Sequence, residues 1–311
     1  MSDLPPERLG GEADPNSWHF NRVGEEGPLP NPTGHTFPLI SHDAEGRCRI
    51  VGTGFYVNND GMFVTARHVI EDVMQGDAQI APLIALHLHS SMGLFGPSEC
   101  LFRPIVQCWL SESADVALGY AAAATNSSGE RLANWAWTLS WHVPVEGEFV
   151  ATYAFPNTAV SDDGKRIRLA PNAYMGHVQA SGDFRDSIMM PFPYIQVDCR
   201  IHGAASDGPM LAGAIVVGVN CTEYVQDEDH AAGPAFVAQT RCLSDAFLED
   251  FVLPGEDRPR LVTFDEMVRA CVVNVAGYVS RDANRSRNGR IVRPLMSYAA
   301  PQPAVDVQVY V

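Results

Sequence analysis

Between residues 37 and 240 the chain is cut into short apolar runs separated by turn residues at roughly even spacing. Arg49 to Val57, Met62 to Thr65, Ile80 to His89, Cys100 to Leu110 and Asp115 to Tyr120 all read as strands. So do Glu148 to Ala154, Arg166 to Leu169, Ala173 to Ala180, Tyr194 to Asp198, Met210 to Val219 and Ala235 to Gln239. Asn58-Asn59-Asp60-Gly61 joins two of them as a hairpin turn, because Asn and Gly tolerate positive φ. Many short strands with turns between them predict an all-β fold, a sandwich or barrels of antiparallel sheet. A chain of 311 residues has room for one large or two medium domains of this kind.

The ends have a different texture. Residues 1 to 34 hold six prolines, five glycines and six acids, which predicts an arm that is disordered or docked on the first domain. Leu243 to Phe251 and Phe264 to Val275 have helical spacing, entered through Ser244-Asp245 and Thr263, and predict a helical C-terminal extension. A polar loop is expected over Ser280 to Arg290, and Ala304 to Val311 alternates like a strand. The expected division is an arm at 1–36, a domain at 37–122, a connector at 123–145, a second domain at 146–242 and an extension at 243–311.

Charge and cysteine usage narrow the setting. A net charge of −16 disfavours nucleic acid and anionic membrane as general partners. Arg281, Arg285, Arg287, Arg290 and Arg293 run against this trend and read as a solvated loop rather than a phosphate or acidic-partner site. Seven scattered cysteines without a Cys-x-x-Cys, a start with no basic and apolar signal pattern, and no bilayer-length apolar run predict a soluble, reduced, cytoplasmic chain. His87 and His89 alternate on one predicted strand and read as core or surface residues rather than metal ligands, so no metal and no cofactor is expected.

One turn carries candidate chemistry. Gly203-Ala204-Ala205-Ser206-Asp207-Gly208-Pro209 sits between two predicted strands. By itself it is either ordinary turn chemistry or a place for a nucleophile. His68 ends a strand behind small residues, and Asp115 opens an apolar strand after Ser111-Glu112-Ser113. A nucleophilic serine needs a base for its proton and an acid to hold that base's tautomer. The three occur in the order His68, Asp115, Ser206, with separations of 47 and 91 residues.

That order and spacing resemble the chymotrypsin-fold, trypsin-like serine peptidases, whose template separations are roughly 45 and 93. The likeness is nearest to the bacterial HtrA/DegP type, which lacks a disulfide framework. Gly52-Thr53-Gly54-Phe55 and Thr65-Ala66-Arg67-His68-Val69 are similar to that family's Gly-Ser-Gly-Phe and Thr-x-x-His-Val. Asp115-Val116-Ala117-Leu118 resembles its Asp-Leu-Ala-Leu. Gln196-Val197-Asp198, Ile201 and Ser206-x-Gly208-Pro209 resemble the run through its nucleophile turn. Val216 to Asn220 and Ala235-Phe236-Val237 resemble the strands that follow. The match covers about residues 45 to 240.

The resemblance implies two antiparallel β-barrels, the first carrying His68 and Asp115 and the second Ser206. It implies an endopeptidase acting on protein or peptide substrate, with Ser206 as nucleophile, His68 as base and Asp115 as orienting acid. The backbone amides of Ala204 and Ser206 would form the oxyanion hole. Peptide would lie along Asn220, Cys221 and Glu223, with a pocket between that segment and Pro234 to Phe236. Arg200 falls at the base of the family's pocket and would favour an acidic residue if it points inward. If it points outward, the pocket would be small and apolar. A regulatory protein partner is expected through the N-terminal arm or the C-terminal extension.

Two positions depart from the pattern. Ala204 and Asp207 stand where the family has glycine, and the Asp207 charge would lie close to a developing oxyanion unless it points away. The competing expectation is therefore a catalytically weak or silent relative acting as a binding or regulatory module.

Overall fold

The computed structural model describes residues 34–75, 78–79, 81–90, 98–125, 129–185, 190–199, 207–223, 234–278, 288–293 and 308–310. Residues 1–33 of the predicted N-terminal arm, Arg200, Ala204 and Ser206 lie outside these residues, while Thr36 at the arm's end already belongs to a strand.

The first six principal strands are β1 (Thr36–His42), β2 (Cys48–Tyr56), β3 (Met62–Thr65), β4 (Leu83–Ser90), β5 (Ser98–Ser111) and β6 (Ala117–Ala121). Pairing runs β1-β2-β3-β6-β5-β4 and returns to β1, every step antiparallel, so the sheet closes into a six-stranded barrel. Closure removes the open edges that an antiparallel sheet would otherwise expose. The hairpin expected at Asn58 joins β2 to β3. The Asn58 side-chain oxygen accepts the main-chain N–H groups of Asp60, Gly61 and Met62, and Gly61 has φ +120°. β5 is long enough to serve two neighbours: its first half pairs with β4 and its second, beyond Pro104, with β6.

After β7 (Thr138–Ser140) the pattern repeats. The strands are β8 (Phe149–Ala154), β9 (Asn172–Gly182), β10 (Tyr194–Val197), β11 (Pro209–Ala212), β12 (Ile215–Glu223) and β13 (Ala235–Gln239). They pair as β8-β9-β10-β13-β12-β11 and back to β8, again all antiparallel. Two closed barrels with one and the same connection order make the chymotrypsin-like fold, as the resemblance implies.

The strand period sorts the side chains of the second barrel. Val150, Ile195, Val197, Met210, Val217, Ala235 and Val237 fill its interior. Phe236 and Ala238, from the other face of β13, join Leu211, Val219 and Cys221 in a larger core continuous with the first barrel. The segment 123–145 contributes β7, which lies parallel to β12 at Ile215 and Val216.

The C-terminal segment corrects the sequence reading. Residues 240–245 form a 3₁₀ turn, but Phe247–Phe251 is a strand, β14, paired with β15 (Arg260–Thr263) rather than a helix. A spacing of four is compatible with both periods, so Phe247 and Phe251 share a face either way. The outcome follows from what that face meets: Phe247 packs edge-on against Trp109 and Phe251 against Tyr120, both in the first barrel. Only the second expected helix forms, and it is shorter: α2 spans Phe264–Arg269 and ends before Cys271 at φ +56°. After β16 (Val275–Ala276), the expected loop over 280–290 ends in a strand, β17 (Gly289–Val292), added to β5. Two of the five arginines are paired: Arg290 with Glu71, and Arg293 with Glu249 and Asp250. Arg281, Arg285 and Arg287 lie outside the described residues. No described helix is long and apolar enough to cross a membrane.

Candidate active site

His68 is the second residue of α1 (Arg67–Glu71), a single turn that leaves β3 of the first barrel. Ala66 before it is extended and offers no side-chain cap, so the first N–H groups of the turn need partners from elsewhere. Asp115 supplies one. Its Oδ1 accepts the His68 main-chain N–H at 3.1 Å, while Oδ2 faces His68 Nδ1 at 2.9 Å. One carboxylate thus anchors both the backbone and the ring of the same residue. Asp115 is itself held by the turn before β6, where the Ser111 hydroxyl accepts the N–H groups of Ser113 and Ala114. Arg67 bridges Glu71 and the Ser111 carbonyl, tying α1 to that turn.

The other ring nitrogen meets the second barrel. Asp207 Oδ1 lies 3.0 Å from His68 Nε2 as an ion pair, with the Asp207 side chain only 3% exposed against 49% for His68. Asp207 has φ +79°, a left-handed conformation that suits glycine far better than a residue with a Cβ. Its main-chain N–H donates to the Asn220 carbonyl at 2.9 Å, and Asn220 N–H returns to the Gly208 carbonyl at 3.0 Å. A Cβ added to Gly52 would stand 2.6 Å from Asp207 Oδ2, so the glycine on β2 leaves the space that this carboxylate fills.

Electrostatics follow from the sandwich. Burial alone would lower the His68 pKa, but the hydrogen bond with Asp115 and the attraction of both Asp115 and Asp207 outweigh it and raise it to about 10. Burial raises Asp207 to about 6, with His68 and the Thr53 N–H acting in the opposite direction. Between those values the centre holds an imidazolium flanked by two carboxylates.

Cys221, expected along the substrate segment, lies behind Asp115. Its buried thiol contacts the Asp115 main-chain carbonyl at 3.8 Å and the Val219 carbonyl at 3.4 Å, not the carboxylate, and burial pushes its pKa well up.

The expected substrate residues are placed unevenly. Asn220 is fully buried, and its side-chain amide donates to the Thr152 hydroxyl at 2.7 Å. With its N–H and carbonyl bound to Gly208 and Asp207, Asn220 braces the Asp207 turn rather than offering an open strand edge. Glu223 pairs through its backbone with Ala235, next to the half-buried Pro234. Phe236 turns away from the barrel interior, packs near Tyr194 and carries the Arg185 guanidinium 4.0 Å above its ring. Arg185 is therefore a cation of this region that motif matching did not single out. His87 is a core residue beside Tyr56 and Arg103, and the His89 side chain lies outside the described set. Among the described residues no group of three His, Cys, Asp or Glu could hold a metal ion.

The contact that sequence reasoning missed is Asp207 on Nε2. Its signal was available as a non-glycine residue at a glycine position, but the direction of the side chain was not.

No family model matches the sequence, and no curated protein matches it. Among solved structures the chain is similar to Deg5, at 16% identity and a TM-score of 0.48, over 67% of this chain and 84% of that one. It is also similar to the HtrA-type protease AlgW with tripeptide, at 17% identity and a TM-score of 0.46, over 67% of this chain and 57% of that one. The strand order of the two barrels, rather than these distant likenesses, establishes the fold.

Proposed function

We propose that the chain is a serine endopeptidase that cleaves protein substrates through Ser206, His68 and Asp115. The observation that carries the reading is the double grip of Asp115 on His68, which leaves Nε2 aimed at the turn where Asp207 follows Ser206. In the catalytic cycle Ser206 Oγ attacks the scissile carbonyl and its proton passes to His68 Nε2. Collapse of the tetrahedral intermediate returns that proton to the leaving amine and leaves an acyl-enzyme, which water then hydrolyses by the same route. Asp115 keeps the proton on Nδ1 and stabilises the cation without taking it. The amides of Ala204 and Ser206 would hold the oxyanion.

The reading includes a reducing, cytoplasmic setting, supported by seven cysteines that are all free. It also includes regulation by a protein partner through the N-terminal arm or the C-terminal segment; Arg290 of β17, which pairs with Glu71 three residues beyond His68, connects the latter to the site.

A fluorophosphonate probe tests the activity. Labelling of Ser206 that disappears in Ser206→Ala and His68→Gln is the expected result. Folded protein that is never labelled, even with Asp207 replaced by glycine, would overturn it. One observation favours a second reading, a silent binding module: the base is already occupied by Asp207. That module would bind its partner equally well as Ser206→Ala and turn nothing over.

A further inference from the structure

We propose that Asp207 is a latch on His68: its carboxylate occupies Nε2, the atom to which a nucleophile's proton must pass, and keeps the centre latent until it is withdrawn. The meaning of the latch rests on the peptidase reading; its geometry does not.

The contact is built rather than incidental. Asp207 Oδ1 is buried with no hydrogen-bond partner among the described residues, so the ion pair with His68 is what compensates it. Oδ2 lies against the backbone of Gly52, in space that any side chain there would fill. The neighbouring Thr53 N–H favours the charged form. A lone buried carboxylate would be costly, and so would a β-carbon at φ +79°. The surrounding structure holds both in place, through the Asn220 backbone and the gap at Gly52.

The charge pattern explains why the contact blocks the base. With Nδ1–H directed to Asp115, Nε2 facing a carboxylate carries a proton as well, and an imidazolium has no lone pair to offer. Among the described residues, no cation other than His68 pairs with either carboxylate at the centre. Arg67, on the helix of His68, is engaged with Glu71 and the Ser111 carbonyl, and Glu71 also takes Arg290. Cys221, the titratable group that faces the centre from β12, is held neutral by burial. Withdrawal of the Asp207 side chain would free Nε2 and return the carboxylate to water. A protein partner is the class of ligand that could drive it.

Proton and nitrogen NMR of the His68 ring in the full chain, assigned with His68→Gln, reads the latch directly. Asp207→Gly accepts the positive φ, and Asp207→Asn keeps the side chain's size without its charge, so failure of one variant to fold leaves the other. The wild-type ring is expected to stay cationic well above pH 6.5, and both variants to titrate at least one unit lower. Fluorophosphonate labelling is expected to quicken at least tenfold in both. A wild-type ring that titrates near 6.5, or one that Asp207→Gly does not move, overturns the latch whatever the activity. Labelling that is unchanged or slower in both variants overturns latency. A shifted ring with no labelling in any variant supports the contact and removes the peptidase reading alone.

Discussion

Asp115 holds His68 at two points with one carboxylate, the main-chain N–H at 3.1 Å and ring Nδ1 at 2.9 Å. The same group therefore starts a helical turn and sets a tautomer. These two roles can be separated. Asp115→Asn keeps an acceptor for the N–H but presents an amide to Nδ1, which favours the wrong tautomer. Peptide cleavage should fall about 10⁴-fold. Asp115→Ala loses both contacts and should cost about 1–2 kcal/mol more stability than Asp115→Asn in urea unfolding. Equal stability of the two variants would show that the main-chain contact contributes nothing.

The raised His68 pKa makes a signed prediction about pH. The folded protein keeps a proton on His68 up to about pH 10, whereas the unfolded chain releases it near the ordinary 6.5. The stability it contributes is full below 6.5 and is lost as pH rises through about 10. Asp207 acts in the same direction at lower pH: it stays protonated to about 6 in the fold against 3.8 unfolded, so its part declines across that interval. Urea unfolding from pH 6.5 to 10 should therefore show a steeper loss of stability in wild type than in His68→Gln. Parallel profiles would contradict the assignment.

Gly52→Ala places a methyl 2.6 Å from both Asp207 Oδ2 and Val69 Cγ2. The clash should destabilise the fold by about 1–3 kcal/mol. Part of that cost belongs to Asp207, so Gly52→Ala combined with Asp207→Gly should lose less than the two changes summed. A thermal-unfolding cycle with coupling under about 0.5 kcal/mol would show that the two sites are independent.

At α2, the Thr263 hydroxyl accepts the Glu266 N–H while the Glu266 carboxylate accepts the Thr263 N–H, a reciprocal cap. Thr263→Ala should cost about 1 kcal/mol without altering any activity, since the cap lies outside both barrels. A change in Fluorophosphonate labelling rate would instead reveal coupling between the C-terminal segment and the site.

Much of the fold was legible because strand alternation and turn chemistry are local. The Asn58 turn, the runs that became β2, β3, β6 and β8, and the order of His68, Asp115 and Ser206 could all be read without coordinates. Leu243 to Phe251 could not, because a four-residue apolar spacing fits helix and strand alike and Trp109 and Tyr120 select between them. The strand at Gly289–Val292 was hidden for a similar reason. Its arginines signal a solvated loop until Glu71, Glu249 and Asp250 are brought beside two of them.

The sequence by itself determined that the chain folds as antiparallel β-structure and placed a base, an acid and a serine turn in a definite order. Those properties rest on periodicity, turn residues and spacing along the chain. Only the tertiary structure decided that each set of six strands closes into a ring, because closure depends on pairings between distant segments. It also decided what His68 Nε2 faces. Asp207 faces His68 because its turn has a positive φ and Gly52 leaves a gap for it, and the contact exists only once the two barrels have come together.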